Sequence, residues 1–422
     1  MNDYFSSLQK KYHISDGLME QIVQAYAKVQ PYWQSVGNQT WTAQIKILDA
    51  FQKHQASDFH LNGSTGYGYG DTGRDILELI WADIFKAEKA LVRSNIASGT
   101  HALALGLFGN LLPGDTFVSI SGAPYDTLQT IIGHDREAGT LSELGVQHKV
   151  VELVDDDFDF DGIAKMVTPD VKMVCIQRSR GYSWRKSLSI SKIAKAIDFV
   201  KQIDPNIICF VDNCYGEFVE LQEPLEVGAD LIAGSLIKNP GGGLAPRGGY
   251  VAGRADLVDR AAARLTAPGI AEDVGSALDF NRLAFQGLFM APLIVEQAMK
   301  GAIFAAQLLS QLGYKVSPEA DAPRTDIIQA IQLDEPDAVR HFCKGIQMAS
   351  PLDAHVTPYD AELPGYDDPV IMAGGTFVQG SSIELSIDGP MREPYIVYMQ
   401  GGLSVAHVIA GVVAAVGQME QK

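Results

Sequence analysis

The sequence predicts an α/β protein: a mostly parallel β-sheet with helices on both faces, followed by a smaller C-terminal α+β domain. Three observations predict it. Between residues 76 and 253, short apolar runs alternate with helical patterns, as in repeated β-α units. Glycine, hydroxyl or charged residues follow several of those runs, at the strand ends where such sheets collect ligand groups. From about Tyr314 the pattern changes to a sparser mixture of strands and helices. The division read from this is an N-terminal helical segment with a glycine-rich loop (1–75), a large α/β domain (76–290) and a small α+β domain (291–422).

In chain order, residues 1–55 read as helical, with Leu18, Ile22, Val23, Tyr26 and Val29 on one stripe. Pro31 is expected to break that helix, and 41–51 to resume a second one. The stretch 61–74 then carries five glycines with Tyr67, Tyr69 and Arg74, more than a plain linker needs. Residues 76–85 read as helix and 90–94 as strand. Ser98-Gly99-Thr100 caps a helix running to about Leu112, which Pro113-Gly114 ends. A strand follows at 116–120, a short helix at 127–132 and one strand at 146–154. The acidic run 155–162 lacks the glycine and glutamate spacing of a calcium loop and reads as a solvated connection into a helix at 163–166. Strand 171–177, helix 190–202 and strand 207–211 complete the alternation, the last closing on Asp212. Residues 229–233 and 249–253 read as further strands, and a helix begins after Ala255. A connecting helix at 291–312 leads to strand 326–333, helix 336–348, strand 383–387 and an apolar terminal helix near 403–416, too short for a comfortable membrane span.

Composition narrows the function classes. The 422 residues carry a formal net charge of −18, which argues against a nucleic-acid backbone as partner. The first residues lack a basic-then-apolar leader pattern, so a cytoplasmic protein with no membrane partner is expected. Cys175, Cys209, Cys214 and Cys343 show no zinc-type pairing, and His54 and His60 do not share a helix face, so no metal site is expected.

The strand ends carry the chemistry. Ser98-Gly99-Thr100 opens a helix whose free amides suit a phosphate, although a plain N-cap has the same look. Tyr125 follows the next strand, where it is able to stack on a planar ligand. Arg178 heads a basic and aromatic cluster running to Lys186, read as an anion or ligand contact. Asp212 closes an apolar strand, and a carboxylate there needs a partner such as a cationic ring nitrogen. After the next strand stand Ser235 and Lys238, then Asn239-Pro240-Gly241-Gly242-Gly243. Lys238 is placed to form a Schiff base, and read alone is equally a lysine on a flexible loop. The glycines after it read as room for a ligand and a neighbouring subunit.

Together, Ser98-Gly99-Thr100, Tyr125, Asp212-Asn213, Ser235 and Lys238 resemble the fold-type I pyridoxal-phosphate enzymes, in the cystathionine and methionine γ-lyase group. The stretch from Gly234 through Pro246-Arg247-Gly248-Gly249 is most similar to the methionine γ-lyase-like family labelled aluminium-resistance proteins. That resemblance implies pyridoxal 5′-phosphate held covalently by Lys238, with Asp212 on the ring nitrogen and Tyr125 on the ring face. It implies a phosphate held by Ser98, Gly99, Thr100 and Ser235, with Tyr67, Tyr69 and Arg74 reaching a neighbouring subunit's phosphate. Arg392 is the implied contact for a substrate carboxylate, and Arg178 stands where better-known lyases carry an asparagine motif. The implied reaction is β- or γ-elimination on a sulfur-containing amino acid, in a homo-oligomer of dimers. The alternatives are aminotransferase or aldolase chemistry with the same cofactor, or a non-enzymatic metal-sequestering protein prompted by the acidic run.

Overall fold

The computed structural model describes residues 2–133, 138–362 and 368–420. Two compact units partition the chain: residues 42–181 with 187–291 form the larger, and residues 1–41, 182–186 and 292–422 the second. The sequence-read segment 1–75 is therefore divided between them.

Two helices open the chain, α1 (Asn2–Tyr12) and α2 (Asp16–Lys53). Then come α3 (Thr72–Phe85), β1 (Lys89–Arg93), α4 (Gly99–Asn110), β2 (Thr116–Ser119) and α5 (Asp126–Ile132). β3 (Gln147–Val150), β4 (Leu153–Val154), β5 (Asp157–Phe158), α6 (Phe160–Met166) and β6 (Val171–Gln177) follow. The larger unit closes with α7 (Ile190–Ile203), β7 (Ile208–Asp212), β8 (Leu231–Ser235), β9 (Gly249–Gly253), α8 (Ala255–Leu265) and the first part of α9 (Phe280–Gln311). The second unit adds β10 (Lys315–Ser317), β11 (Gln329–Gln332), α10 (Pro336–Met348), β12 (Val370–Ala373), β13 (Ser386–Pro390), β14 (Ile396–Gln400) and α11 (Val405–Glu420).

In the larger unit seven strands run β1-β9-β8-β7-β6-β2-β3. Neighbours from β8 to β3 pair in parallel, and β9 alone runs against its neighbours. The expected mostly parallel sheet is thus present. Burial is why its strands read as continuous apolar runs: β2, β7, β8 and β9 are buried at every position. Helix α4 is apolar all round because both its faces are covered. A Cβ on Gly106 would stand 2.6 Å from the Phe210 ring of β7, and one on Gly109 would stand 3.0 Å from the Ala261 backbone of α8. In the second unit the sheet is antiparallel, in the order β10-β11-β14-β13-β12. Helices α10 and α11 meet there so closely that a Cβ on Gly345 would fall 2.3 Å from Ala415 Cα.

Several local expectations are overturned. Pro31 lies inside α2, which continues through it. An internal proline costs about 3 kcal/mol, but the buried stripe of Ile22, Ala25, Val29, Trp33 and Val36 continues on both sides of it. Trp33 Nε1 also donates to Lys300 O at 3.0 Å. Val23 faces out; Ala25 takes its place on the stripe. The predicted strand 146–154 is two strands, broken at residues 151–152, and Asp155 and Asp156, both at positive φ, then turn β4 into a hairpin with β5. Asp159 then caps α6, accepting from Gly162 N at 3.0 Å. The acidic run is therefore a turn and a cap. Helix α9 begins earlier than expected and carries Pro292 inside it. It is long and apolar enough to cross a membrane by composition, and 72% of its apolar window is buried within the protein. Strand β13 lies later than the predicted 383–387, because Glu384 instead accepts the amides of Phe377 and Val378 (2.8 and 2.9 Å).

Trp81 of α3 stacks on Phe85 at 5.3 Å and meets Tyr250 of β9 at 5.1 Å, almost fully buried. Trp81→Ala is expected to lower unfolding stability by about 3–5 kcal/mol, and Trp81→Phe by clearly less, in urea titrations followed by circular dichroism.

Candidate active site

The carboxyl ends of β6, β7 and β8 and the start of α4 converge in the larger unit. Register places Gln177 beside Asp212 and Asp212 beside Ala233, so the ends of three parallel strands come level. Ser98 caps α4, its Oγ accepting from His101 N at 3.1 Å, and the helix has no acidic residue in its first turn. Gly99 is pressed against the end of β8: an added Cβ would stand 3.1 Å from Ser235 Cβ and 3.5 Å from Cys214 Sγ. Thr100 Oγ1 lies 3.1 Å from Tyr125 OH and 3.4 Å from Thr127 Oγ1. Tyr125 is held from behind, its backbone N donating to Gln177 Oε1 at 3.0 Å. Ser98, Gly99, Thr100, Tyr125, Asp212, Ser235 and Lys238 therefore occupy neighbouring positions at one edge of the sheet.

The electrostatics of that edge are unusual. Burial pushes the Asp212 carboxyl up, opposed by Lys238 and by the Cys214 amide, which donates to Oδ1 at 3.1 Å. An apolar cavity lined by Leu103, Leu107, Phe117 and Phe210 reaches Asp212 and accounts for its desolvation. Burial works to pull the Lys238 ammonium down, but Cys214, Tyr215, Asp212 and Tyr125 outweigh it, and the group stands well above an ordinary lysine. Among the described residues no carboxylate lies within ion-pair distance of Lys238 Nζ, which sits 4.1 Å from the Tyr215 ring centroid. Tyr215 holds that place with φ of 71°, a strained left-handed conformation for a bulky residue. Burial, then Asp212, also push the Tyr125 hydroxyl far above its usual range, so it stays protonated.

The glycines after Lys238 have a different job from the one read in the sequence. A Cβ on Gly241 would lie 1.7 Å from Leu236 O, and one on Gly242 would lie 2.2 Å from Gly287 O of α9. Gly241 and Gly242 let backbone pass backbone and so fix the turn that carries Lys238.

Arg178 also departs from its expected role. It is fully buried, donating from Nη1 to Asn213 Oδ1 (2.8 Å) and Glu223 Oε2 (3.3 Å), and from Nη2 to Glu220 Oε2 (2.9 Å). Its two terminal nitrogens brace the connection after β7, while Nε has no hydrogen-bond partner among the described residues. Arg74 turns inward likewise: Nη1 donates to the carbonyls of Gly68 (3.0 Å) and Gly275 (3.1 Å), and Nε to Asp75 (2.9 Å). It clamps the glycine-rich loop, whose Gly66, Gly68 and Gly70 all adopt positive φ. Tyr67 and Tyr69 are exposed and stacked on each other at 5.6 Å. Arg392 belongs to the second unit, following β13, where it pairs with Asp368 at 3.3 Å and donates to Tyr182 O at 3.3 Å. Sequence reasoning missed Cys214, Tyr215, Glu217 and Tyr250. The only signal for the first three was their place directly after Asp212; Tyr250 had none.

The donor set suits a planar cationic heterocycle bearing an aldehyde and a phosphate. The buried Asp212 carboxyl would suit a ring nitrogen's charge, the Lys238 ammonium, with no carboxylate at ion-pair distance among the described residues, would suit the aldehyde, and the capped helix start beside Ser235 would offer amides to an anion. Pyridoxal phosphate has that chemistry.

The family described as methionine gamma-lyase matches residues 18–420. An uncharacterized protein of Bacillus subtilis, YnbB, is 50% identical over 380 residues, covering 89% of this chain and 90% of that one. A candidate cystathionine beta-lyase involved in aluminum resistance from Clostridium acetobutylicum is 47% identical, with a TM-score of 0.95 over 98% of each chain. A carbon-sulfur lyase involved in aluminum resistance from Clostridium novyi is 45% identical, with a TM-score of 0.94 over 98% of each chain. The pyridoxal-5′-phosphate dependent protein YhfS of Escherichia coli, 17% identical with a TM-score of 0.62, shares the fold; the match covers 92% of this chain and 97% of that one.

Two outcomes are expected. Arg178→Ala strands Glu223 and Glu220 without their cation and should cost about 3–5 kcal/mol in denaturant unfolding; unchanged stability with weakened substrate binding would return Arg178 to a ligand role. Glu217, pushed up to about 8 mainly by burial, keeps its proton in the folded chain after the unfolded chain has lost it. Its stabilising effect is full below its ordinary carboxyl range and falls as pH rises toward 8, by about 1.4 kcal/mol per pH unit at most. Glu217→Gln should flatten that decline in urea midpoints measured across the same window.

Proposed function

The chain belongs to the methionine gamma-lyase family, and from that premise we propose that it is a pyridoxal-phosphate-dependent carbon–sulfur lyase acting on a sulfur-containing amino acid. The observation that carries the reading is Lys238, an ammonium at the end of β8 with Asp212 and Tyr125 as electrostatic neighbours and no carboxylate at ion-pair distance among the described residues.

Pyridoxal phosphate, when bound, supplies an electrophilic aldehyde and a ring that accepts electrons. Asp212 would face the ring nitrogen, whose positive charge would favour the ionised carboxylate against the burial that pushes it up. Amides of Gly99 and Thr100, with the hydroxyls of Ser98 and Ser235, bind the phosphate at the start of α4. Tyr125 orients the ring face and stays neutral there. Lys238 Nζ would hold the aldehyde and, once displaced by the substrate amine, would be free to take the α-proton of the substrate and pass a proton to the departing sulfur. The products are a thiol, a 2-oxo acid and ammonia, water being consumed. Arg392 is the proposed contact for the substrate carboxylate. The exposed, stacked Tyr67 and Tyr69 support a homo-oligomer in which that loop meets a second subunit. A cytoplasmic enzyme is part of the same reading.

The purified protein is expected to be yellow, and borohydride reduction should leave a pyridoxyl adduct on Lys238 in peptide mass spectra. Lys238→Ala should abolish the adduct and lower thiol release from sulfur amino acids by about 10²–10⁴-fold or more. Amino transfer or aldehyde release without thiol would replace the lyase reading with another reaction of the same cofactor. A colourless protein with no adduct would remove the enzyme reading altogether.

A further inference from the structure

Glu217 has no part in the chemistry above, yet it is built into the floor of the site. It is completely buried, in the connection after β7 between Tyr215 and Phe218, both at positive φ. Its Oε1 accepts from Tyr250 OH at 2.8 Å, and its Oε2 has no hydrogen-bond partner among the described residues. Its backbone oxygen accepts from Asn239 Nδ2 at 3.0 Å, and Asn239 is the residue next to Lys238. Gly234, just before Ser235, makes space for the pair: a Cβ there would stand 2.8 Å from Glu217 Oε1 and from Tyr250 OH. Trp81 and Phe85 wall Tyr250 at 5.1 and 5.8 Å, and Phe218 packs on Phe85 at 5.5 Å.

The charged and titratable groups facing Glu217 are Tyr250 from β9, Glu223 and Cys214 from the same connection and Lys238 from the turn after β8, with Cys214 and Glu223 also acting on Tyr250. Among the described residues no cation stands within ion-pair distance of it. An ionised carboxylate here would leave a charged oxygen without a partner in an aromatic wall, whereas a neutral carboxyl leaves only a weakly polar group. Raised by burial above all, its carboxyl stays protonated up to about pH 8.

We propose that Glu217 is a positioning residue whose neutral carboxyl, accepting from Tyr250 and joined through its backbone to Asn239, fixes the turn that carries Lys238. The inference rests on Lys238 being the cofactor lysine. Its consequence is a pH-dependent field: once Glu217 ionises, its negative charge favours the protonated form of the Lys238–cofactor link.

Two measurements test it. In the cofactor-free protein, the infrared band of a protonated carboxyl should be present at neutral pH, fade as pH passes about 8, and be lost in Glu217→Gln. In Tyr250→Phe the band should persist to higher pH, because the hydrogen bond that favours the ionised form is gone. In the holoenzyme above about pH 8, where wild-type Glu217 is ionised, the visible absorbance of the lysine-bound cofactor should show less of the protonated form in Glu217→Gln than in the wild type. Glu217→Gln keeps an acceptor for Tyr250, so a merely structural role predicts an unchanged titration, and that result overturns the inference. No wild-type-minus-variant carboxyl band at neutral pH also overturns it. A wild type with no lysine-bound cofactor absorbance overturns the cofactor reading and this inference with it, whereas a normal absorbance with unchanged titration overturns this inference alone.

Discussion

The opposition of Asp212 and Lys238 at adjacent strand ends is the constraint on which the rest of the site depends. Each is costly to hold in the desolvated edge of the sheet, and each lowers the cost of the other's charge. The parallel pairing of β7 with β8 makes the opposition possible, because it sets Asp212 beside Ala233, two residues before β8 ends and the turn to Lys238 begins. Around the two charges, the Cys214 amide and the Tyr215 ring supply the remaining polar and cation–π contacts.

Close backbone approach converts that sheet edge into a rigid frame. Gly99 lets the start of α4 touch Ser235 and Cys214, Gly241 and Gly242 let the Lys238 turn pass Leu236 and Gly287, and Gly234 makes room for Glu217 and Tyr250. Arg178 performs the same service by charge, locking Asn213, Glu220 and Glu223 behind the strand end that bears Asp212. A site whose supporting groups are packed and paired in this way holds Asp212 and Lys238 in a narrow range of positions.

Much of this was legible in the sequence, and what was legible was local. Alternating apolar runs marked the parallel sheet, since strands buried on both faces have no polar face to show. Ser98 marked the start of α4 through its own capping hydroxyl. Asp212 and Lys238 stood out because a charge ending an apolar strand is conspicuous in one dimension. Helix breaking at Pro31 was misread because the rule is local and the buried stripe that overrides it is not.

By itself, then, the sequence determined the fold class, the order of the strand ends and the identity of the two charges at the centre. Tertiary structure decided which charged groups are spent inside the protein and which face the site. Arg178 and Arg74 look like ligand-binding arginines in sequence, but their partners, Glu220 and Glu223 for one and the Gly275 carbonyl for the other, reach them only through folding. Glu217 looked like nothing at all until Tyr250 and Asn239 closed around it. The physical reason is the same in each case: a strand or a cap is set by near neighbours in the chain, whereas desolvation and pairing are set by whatever the fold brings alongside.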